Sequence, residues 1–136
     1  MPEDARTLLV RPLYAALPPQ EQMKAFAPSP PNSRKIILAT NIAETSLTIN
    51  GIRYVIDCGL VKARMYQPST RVDSLLVIPI SKAAARQRRG RAGREAPGKC
   101  FCLYPENCFY ELPDRNVPEI QRCSLDNAVL QLKSLG

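Results

Sequence analysis

Between Ala85 and Glu95 the chain reads ARQRRGRAGRE: five arginines, two glycines and one glutamine precede the first acid. A guanidinium is a planar fork of donors that matches phosphate oxygens, and it stays charged at any physiological pH. On a helix Gln87, Arg91 and Arg94 fall at i, i+4 and i+7, so they share a face and two arginines one turn apart form a phosphate fork. Arg86 and Arg89 point elsewhere. The rival reading is a solvated basic face, the ordinary fate of a charge run. Gly90 and Gly93 weigh against it, because each costs about 1 kcal/mol relative to alanine inside a helix. Glycine there predicts close approach of a backbone or a ligand.

A second constellation is TNIAETSLTI, Thr40 to Ile49, directly after the apolar KIILA. In open parallel sheets ligands bind at the carboxyl ends of strands, and this loop offers Thr40, Asn41, Glu44, Thr45, Ser46 and Thr48 at such an end. Hydroxyls and amides hold sugar and phosphate without reading base sequence. Turn and cap residues of the same types account for it equally well.

The cysteines raise a third possibility, a metal site. Five are present with no histidine, and CFC lacks the two-residue gap of zinc ribbons; on a strand Cys100 and Cys102 are two positions on one face. The expectation is five free thiols and no metal.

These residues need elements to hold them. TLLVRPLYAAL opens with strand character, and PPQEQMKAF reads as a short helix with proline in its first turn and Met23 and Phe26 on one face. APSPPNS is a loop. RKIILAT and IRYVIDCG are apolar runs of the kind found in strands buried on both faces of a parallel sheet. Val61 to Ile80 forms two β-rich arms about QPST, a projecting hairpin with Lys62 and Arg64 on alternate residues. Ser81 caps the helix KAAARQRR. GKCFCLY is a strand, PENCFYEL a short helix, and SLDNAVLQLKSLG an amphipathic helix with Leu125, Val129 and Leu132 on one side and Gly136 as its stop. Strands alternating with helices indicate an α/β fold.

The chain has 136 residues, enough for one ordinary domain, and carries a formal net charge of +7. Its pI is about 9.4, which favours a polyanionic partner. Six basic residues, Lys82, Arg86, Arg88, Arg89, Arg91 and Arg94, lie between Ser81 and Arg94 with no acid among them. No run approaches a membrane span and the amino terminus lacks the order of a secretory signal, so an intracellular protein is expected.

At this level of detail the chain resembles a known family. TNIAETSLTI is similar to motif V and QRRGRAGR (Gln87 to Arg94) to motif VI of superfamily-2 helicases, in the DEAH-box RNA helicase form found among spliceosomal and ribosome-biogenesis proteins. PLYAALPPQEQ, YQPSTRVDSLLVIPISKA, GKCFCLY and VPEIQRCSLDNAVLQLKSLG extend the likeness over nearly the whole chain. It implies a RecA-like α/β domain of the P-loop NTPase type with a mostly parallel sheet and a projecting β-hairpin. Residues 1–117 correspond to the second RecA-like domain without its first strand, and residues 118–136 to the truncated start of a winged-helix region.

The resemblance also implies roles. Arg91 and Arg94 match arginine fingers that reach the ATP γ-phosphate, and Gln87 the residue that helps orient the attacking water. Arg88 belongs to the same nucleotide-side cluster. Thr40, Asn41 and Thr45 match residues that contact the RNA backbone or link it to the nucleotide site, and Ser46 matches a γ-phosphate-sensing serine. Phe26 stands where the family stacks an aromatic on the nucleotide base, although a packing role for it is as natural. The hairpin matches an element that wedges against the RNA stack. Asn50 occupies a position near the ribose where many relatives are acidic, and Arg89 one where they carry a small residue.

The sequence contains no G-x-x-x-x-G-K-[ST] loop and no D-E-A-H box, so the phosphate-loop and Mg²⁺ half of an ATP site is not among its motifs. The resulting expectation is a part of an ATP-dependent RNA helicase, acting in the nucleus on single-stranded RNA with ATP, Mg²⁺ and an activating adaptor protein, and inactive as an isolated chain. Two rivals are a non-catalytic RNA-binding or regulatory module and a protein-interaction fragment. Leu125, Val129, Leu132 and Leu135 should pack back on the domain or lie exposed.

Overall fold

The computed structural model describes residues 6–45 and 47–135. In chain order its elements are β1 (Thr7–Leu13), α1 (Pro19–Phe26), β2 (Ser33–Ala39), α2 (Ile42–Thr45), β3 (Tyr54–Asp57), β4 (Leu60–Gln67), β5 (Val72–Pro79), α3 (Lys82–Arg89), β6 (Lys99–Cys102), α4 (Glu106–Glu111), a 3₁₀ turn (Glu119–Gln121) and α5 (Asp126–Ser134). They gather into two compact units: the described part of Met1–Ile56 with Gln87–Phe101, and Asp57–Arg86 with the described part of Cys102–Gly136.

In the first unit β1 and β2 pair in parallel, from Thr7 opposite Ser33 to Leu13 opposite Ala39. The Thr40 N–H carries the ladder one step further, to the Leu13 carbonyl at 3.1 Å. The helix between the strands, α1, begins on proline, whose fixed φ and missing N–H suit a first turn. At its other end Lys35 reaches up from β2 and donates to the Ala25 and Ala27 carbonyls at 2.8 and 2.7 Å. A cation there satisfies orphan acceptors and complements the negative end of the helix dipole. Burial and the neighbouring Arg11 charge pull the Lys35 pKa below the lysine norm.

Only one face of this pair is covered. Leu9, Arg11, Lys35 and Ile37 are half-buried, whereas Leu8, Val10, Ile36 and Leu38 on the other face are exposed. Apolar continuity had suggested strands buried on both faces; among the described residues there is a helix for one face only. The pair β3 and β6 shows the same exposure, with Tyr54 and Ile56 open to solvent and the Tyr54 and Phe101 rings 6.4 Å apart. Lys99 donates to the Arg53 carbonyl at 2.9 Å and Leu103 to that of Asp57 at 2.8 Å, so both strands climb in the same direction. At Gly98 a Cβ would collide with the Ala92 carbonyl and stand 2.6 Å from that of Arg53. Glycine is required there by close approach of backbone.

The second unit is built on the hairpin. β4 and β5 pair antiparallel from Leu60 opposite Pro79 to Gln67 opposite Val72, and Arg71 at the tip takes φ 52°. Ile80, Ala84 and Ala85 form its buried cluster, with Val61, Phe109 and Leu112 packed against them. Ser81 is fully buried, and its Oγ accepts the Ala84 N–H at 3.1 Å, the capping bond its position foretold. The first hairpin strand gains a partner beyond the turn, since Tyr66 donates to the Arg122 carbonyl at 2.7 Å. Val129 and Leu132 on α5 and its flanking cap residues Leu125 and Leu135 lie exposed, one of the two expected outcomes.

The architecture is α/β, but the described strands pair two by two, β1–β2, β3–β6 and β4–β5, instead of forming one sheet. The core is thinner than the chain length allows. Of the seven buried apolar residues among those described, Leu13, Ala25, Ala63, Ile80, Ala84, Ala85 and Ala92, five are alanine. Backbones approach closely, while little large side-chain area is removed from water.

Candidate functional site

The basic segment begins as the end of α3, whose alanines favour helix and whose last residue is Arg89. Gly90 follows, and the chain continues as a tightened turn in which Arg91 donates to the Arg88 carbonyl at 3.1 Å and Ala92 to that of Arg89 at 3.2 Å. The i, i+4, i+7 face for Gln87, Arg91 and Arg94 is therefore not formed: Gln87 is on the helix and both arginines are beyond it. Two glycines in four residues lower helix propensity enough to end it. Nor does Gly93 mark a close approach of backbone, since a Cβ there would meet no protein atom within 4 Å among the described residues.

What orders the turn is the loop after β2. Arg88 Nε donates to the Glu44 Oε2 at 3.0 Å, with the two side chains only 15% and 12% exposed. Arg91 donates from Nε to the Glu44 carbonyl at 2.8 Å, from Nη1 to the Leu47 carbonyl at 2.8 Å, and from Nη2 again to the Glu44 carbonyl. Arg94 Nη1 donates to Thr48 Oγ1 at 2.9 Å, and the Gly51 N–H donates to Glu95 Oε2 at 2.9 Å. Residues 44, 47, 48 and 51 thus meet 88, 91, 94 and 95 in ascending order. The two segments that stood out separately in the sequence lie side by side, joined rung by rung.

Electrostatics differ along the ladder. Arg91 is half-buried; burial foremost, and then the Arg94 charge, push its pKa below the arginine norm, with Glu44 pulling the other way. Arg94 is exposed, and among the described residues its guanidinium meets the Thr48 hydroxyl alone. It has donors to spare for an incoming oxyanion. Of the two nearby carboxylates, Glu44 pairs with Arg88, and Glu95 accepts the Gly51 N–H through Oε2.

Thr40, Asn41 and Thr45 are exposed at the carboxyl end of the β1–β2 pair, where a strand-end ligand would sit. The Thr40 and Asn41 carbonyls accept from Ala43 and Glu44, at 3.3 and 3.0 Å, and so start α2. Ser46 lies outside the described residues. Asn50 is exposed in the turn before β3, next to Gly51 at φ 75°. Gln87 is exposed on the last turn of α3. Phe26 is not brought to the ladder: it is half-buried on α1, lining a shallow hollow with Gln20, Met23, Lys24 and Ala27.

Sequence reasoning placed Glu44 and Thr48 only in the general strand-end loop, with no arginine partner, and left Glu95 out altogether. Their signal was present, since Glu44 is the sole acid of TNIAETSLTI and Glu95 the first acid after the arginines. Among the described residues no group of three or more His, Cys, Asp or Glu side chains is placed to hold a metal. No described helix is long and apolar enough to cross a membrane.

Residues 3–96 match the family model described as helicase conserved C-terminal domain. The whole chain is 62% identical to the Arabidopsis thaliana protein named pre-mRNA-splicing factor ATP-dependent RNA helicase DEAH10 and covers 19% of it. It is 55% identical over 131 residues, 96% of the chain, to the Homo sapiens probable ATP-dependent RNA helicase DHX35, again covering 19%. The chain thus spans about a fifth of the length of these relatives. In three dimensions it is similar to the crystal structure of the Escherichia coli DEAH/RHA helicase HrpB, with a TM-score of 0.88 and 40% identity over 95% of this chain and 16% of that one.

Proposed function

Since the chain belongs to the helicase conserved C-terminal domain family, in its DEAH-box form, we propose that it supplies one wall of the ATP site and part of the RNA path of an ATP-dependent RNA helicase. ATP would lie between this domain and a further RecA-like domain carrying the phosphate loop. The supporting observation is the ladder, which holds an exposed Arg94 with unused donors beside the loop after β2.

In this reading Arg94 and Arg91 donate to the terminal phosphate and neutralise the charge that develops as it is transferred, and Gln87 orients the water. Arg88 serves the same side of the site. Thr40, Asn41 and Thr45 hold the RNA backbone, and Ser46 senses the γ-phosphate. Phe26 stacks on the nucleotide base, which its partly exposed ring in a shallow hollow allows, and the Asn50 amide hydrogen-bonds the ribose. The arginines here suit phosphate, and among the described residues no group of three or more His, Cys, Asp or Glu is placed to hold Mg²⁺; in this reading the ion's ligands lie largely on the other wall. Residues 1–117 act as the RecA-like domain and 118–136 begin a winged-helix region. The setting is nuclear, consistent with the splicing name of the Arabidopsis relative, with an adaptor protein as activator.

The test is a graft. Placed in the Arabidopsis relative in exchange for the stretch it matches, this chain should sustain RNA-stimulated ATP hydrolysis, while the free chain should show none. A graft that binds RNA yet hydrolyses no ATP would refute the proposal in favour of a non-catalytic RNA-binding module.

A further inference from the structure

We propose that Glu44 is a positioning residue for the arginines: by pairing with Arg88 its carboxylate holds in place the loop carbonyls that seat Arg91. The inference rests on the phosphate-site reading above and concerns what sets the geometry of that site.

Glu44 touches two arginines in different ways, through its carboxylate to Arg88 and through its backbone carbonyl to Arg91. It lies in α2, a helix of four residues, too short to hold its own shape. Some other anchor must fix the direction of its carbonyl. An anchor within reach is the ion pair, which is far less exposed than two others: Lys24–Glu21 is about half exposed on both sides, and Asp114 of Lys82–Asp114 is almost wholly so. An ion pair largely out of water resists opening, because freeing either partner leaves a charge poorly solvated. Turning the Glu44 peptide would unseat two of the Arg91 donors together. The carboxylate also sets a negative charge among Arg88, Arg91 and Arg94 and favours the charged form of Arg91.

The test reads side-chain Nε–H exchange with water by NMR in the ¹⁵N-labelled 136-residue chain. Glu44→Gln keeps an acceptor oxygen and leaves the backbone carbonyl untouched while removing the charge. Exchange at both Arg88 and Arg91 should quicken about tenfold, the difference between charge-assisted and neutral hydrogen bonds, with amide protection in β1 and β2 unchanged. Arg91 exchange as slow as in the parent chain would overturn the proposal, whatever happens at Arg88. Should Glu44→Gln loosen β1 and β2 as well, Arg88→Gln reads the same link from the other end: a loosened Arg91 supports it and an unchanged Arg91 overturns it. No nucleotide enters the measurement, so a negative result leaves the ATP reading to be judged by hydrolysis.

Discussion

Arg91 and Thr48 lie on opposite sides of one division of labour: Arg91 is bound by two backbone carbonyls through Nε, Nη1 and Nη2, whereas the Thr48 hydroxyl holds Arg94 by a single nitrogen at 2.9 Å. Two arginines three residues apart therefore differ in what it takes to release them. Moving Arg94 toward a phosphate gives up one hydrogen bond at an exposed position. Moving Arg91 strands two carbonyls.

The first prediction concerns stability. Arg91→Ala removes donors from the Glu44 and Leu47 carbonyls and should destabilise the first unit by about 2 kcal/mol, a typical figure for lost charge-assisted bonds. Arg94→Ala should change it by no more than about 0.5 kcal/mol, as exposed substitutions do. Urea midpoints of the two variants decide; equal losses would contradict the division of labour.

A second prediction involves Arg11, whose Nε is buried with no hydrogen-bond partner among the described residues and whose charge faces Lys35. Arg11→Met removes an unsatisfied donor and a like charge and should stabilise the chain by about 1 kcal/mol. The pH dependence follows from the lowered Lys35 pKa. Between that value and the unfolded lysine value, about 10.4, the unfolded chain binds more protons, so stability contributed by this group rises with pH there. Below the window both states are protonated and the penalty is present in full. Arg11→Met should flatten the rise, measured as the slope of the urea midpoint against pH.

Third, the glycines should separate. Gly98→Ala forces a Cβ against the Ala92 and Arg53 carbonyls and should cost about 3 kcal/mol, the upper end of what overpacking costs. Gly93→Ala enters open space and should be neutral or stabilising by about 0.5 kcal/mol, through the unfolded state. Thermal melts of the two variants check the contrast.

Fourth, Val129→Asp places a charge among the exposed apolar side chains of α5. Stability should hold within about 0.5 kcal/mol, while self-association at high concentration should fall, as light scattering would show. Loss of capture of a protein partner by this variant would support the interaction-fragment reading.

Much of this was legible beforehand. KAAARQRR became α3 residue for residue, with Ser81 as its cap, because alanine propensity and a capping hydroxyl act locally. The hairpin followed from two β-rich arms and a turn. The face shared by Gln87, Arg91 and Arg94 did not survive, because periodicity was carried past Gly90, where the helix stops. Burial of RKIILAT on both faces failed for another reason: apolar composition states what a strand tolerates, while cover depends on elements elsewhere. The pairing of Glu44 with Arg88 and of Gly51 with Glu95 spans forty-four residues in each case, beyond any local pattern. Gly98 sits in an ordinary Pro-Gly and gave no sign that two carbonyls crowd it.

The most direct test of the central claim is the kcat for RNA-stimulated ATP hydrolysis in the graft, with and without Arg94→Ala. An arginine that stabilises the transferring phosphoryl group is worth on the order of a thousandfold or more in kcat, so the variant should lose at least about that factor while still binding RNA. Hydrolysis by Arg94→Ala at the parent rate would contradict the account.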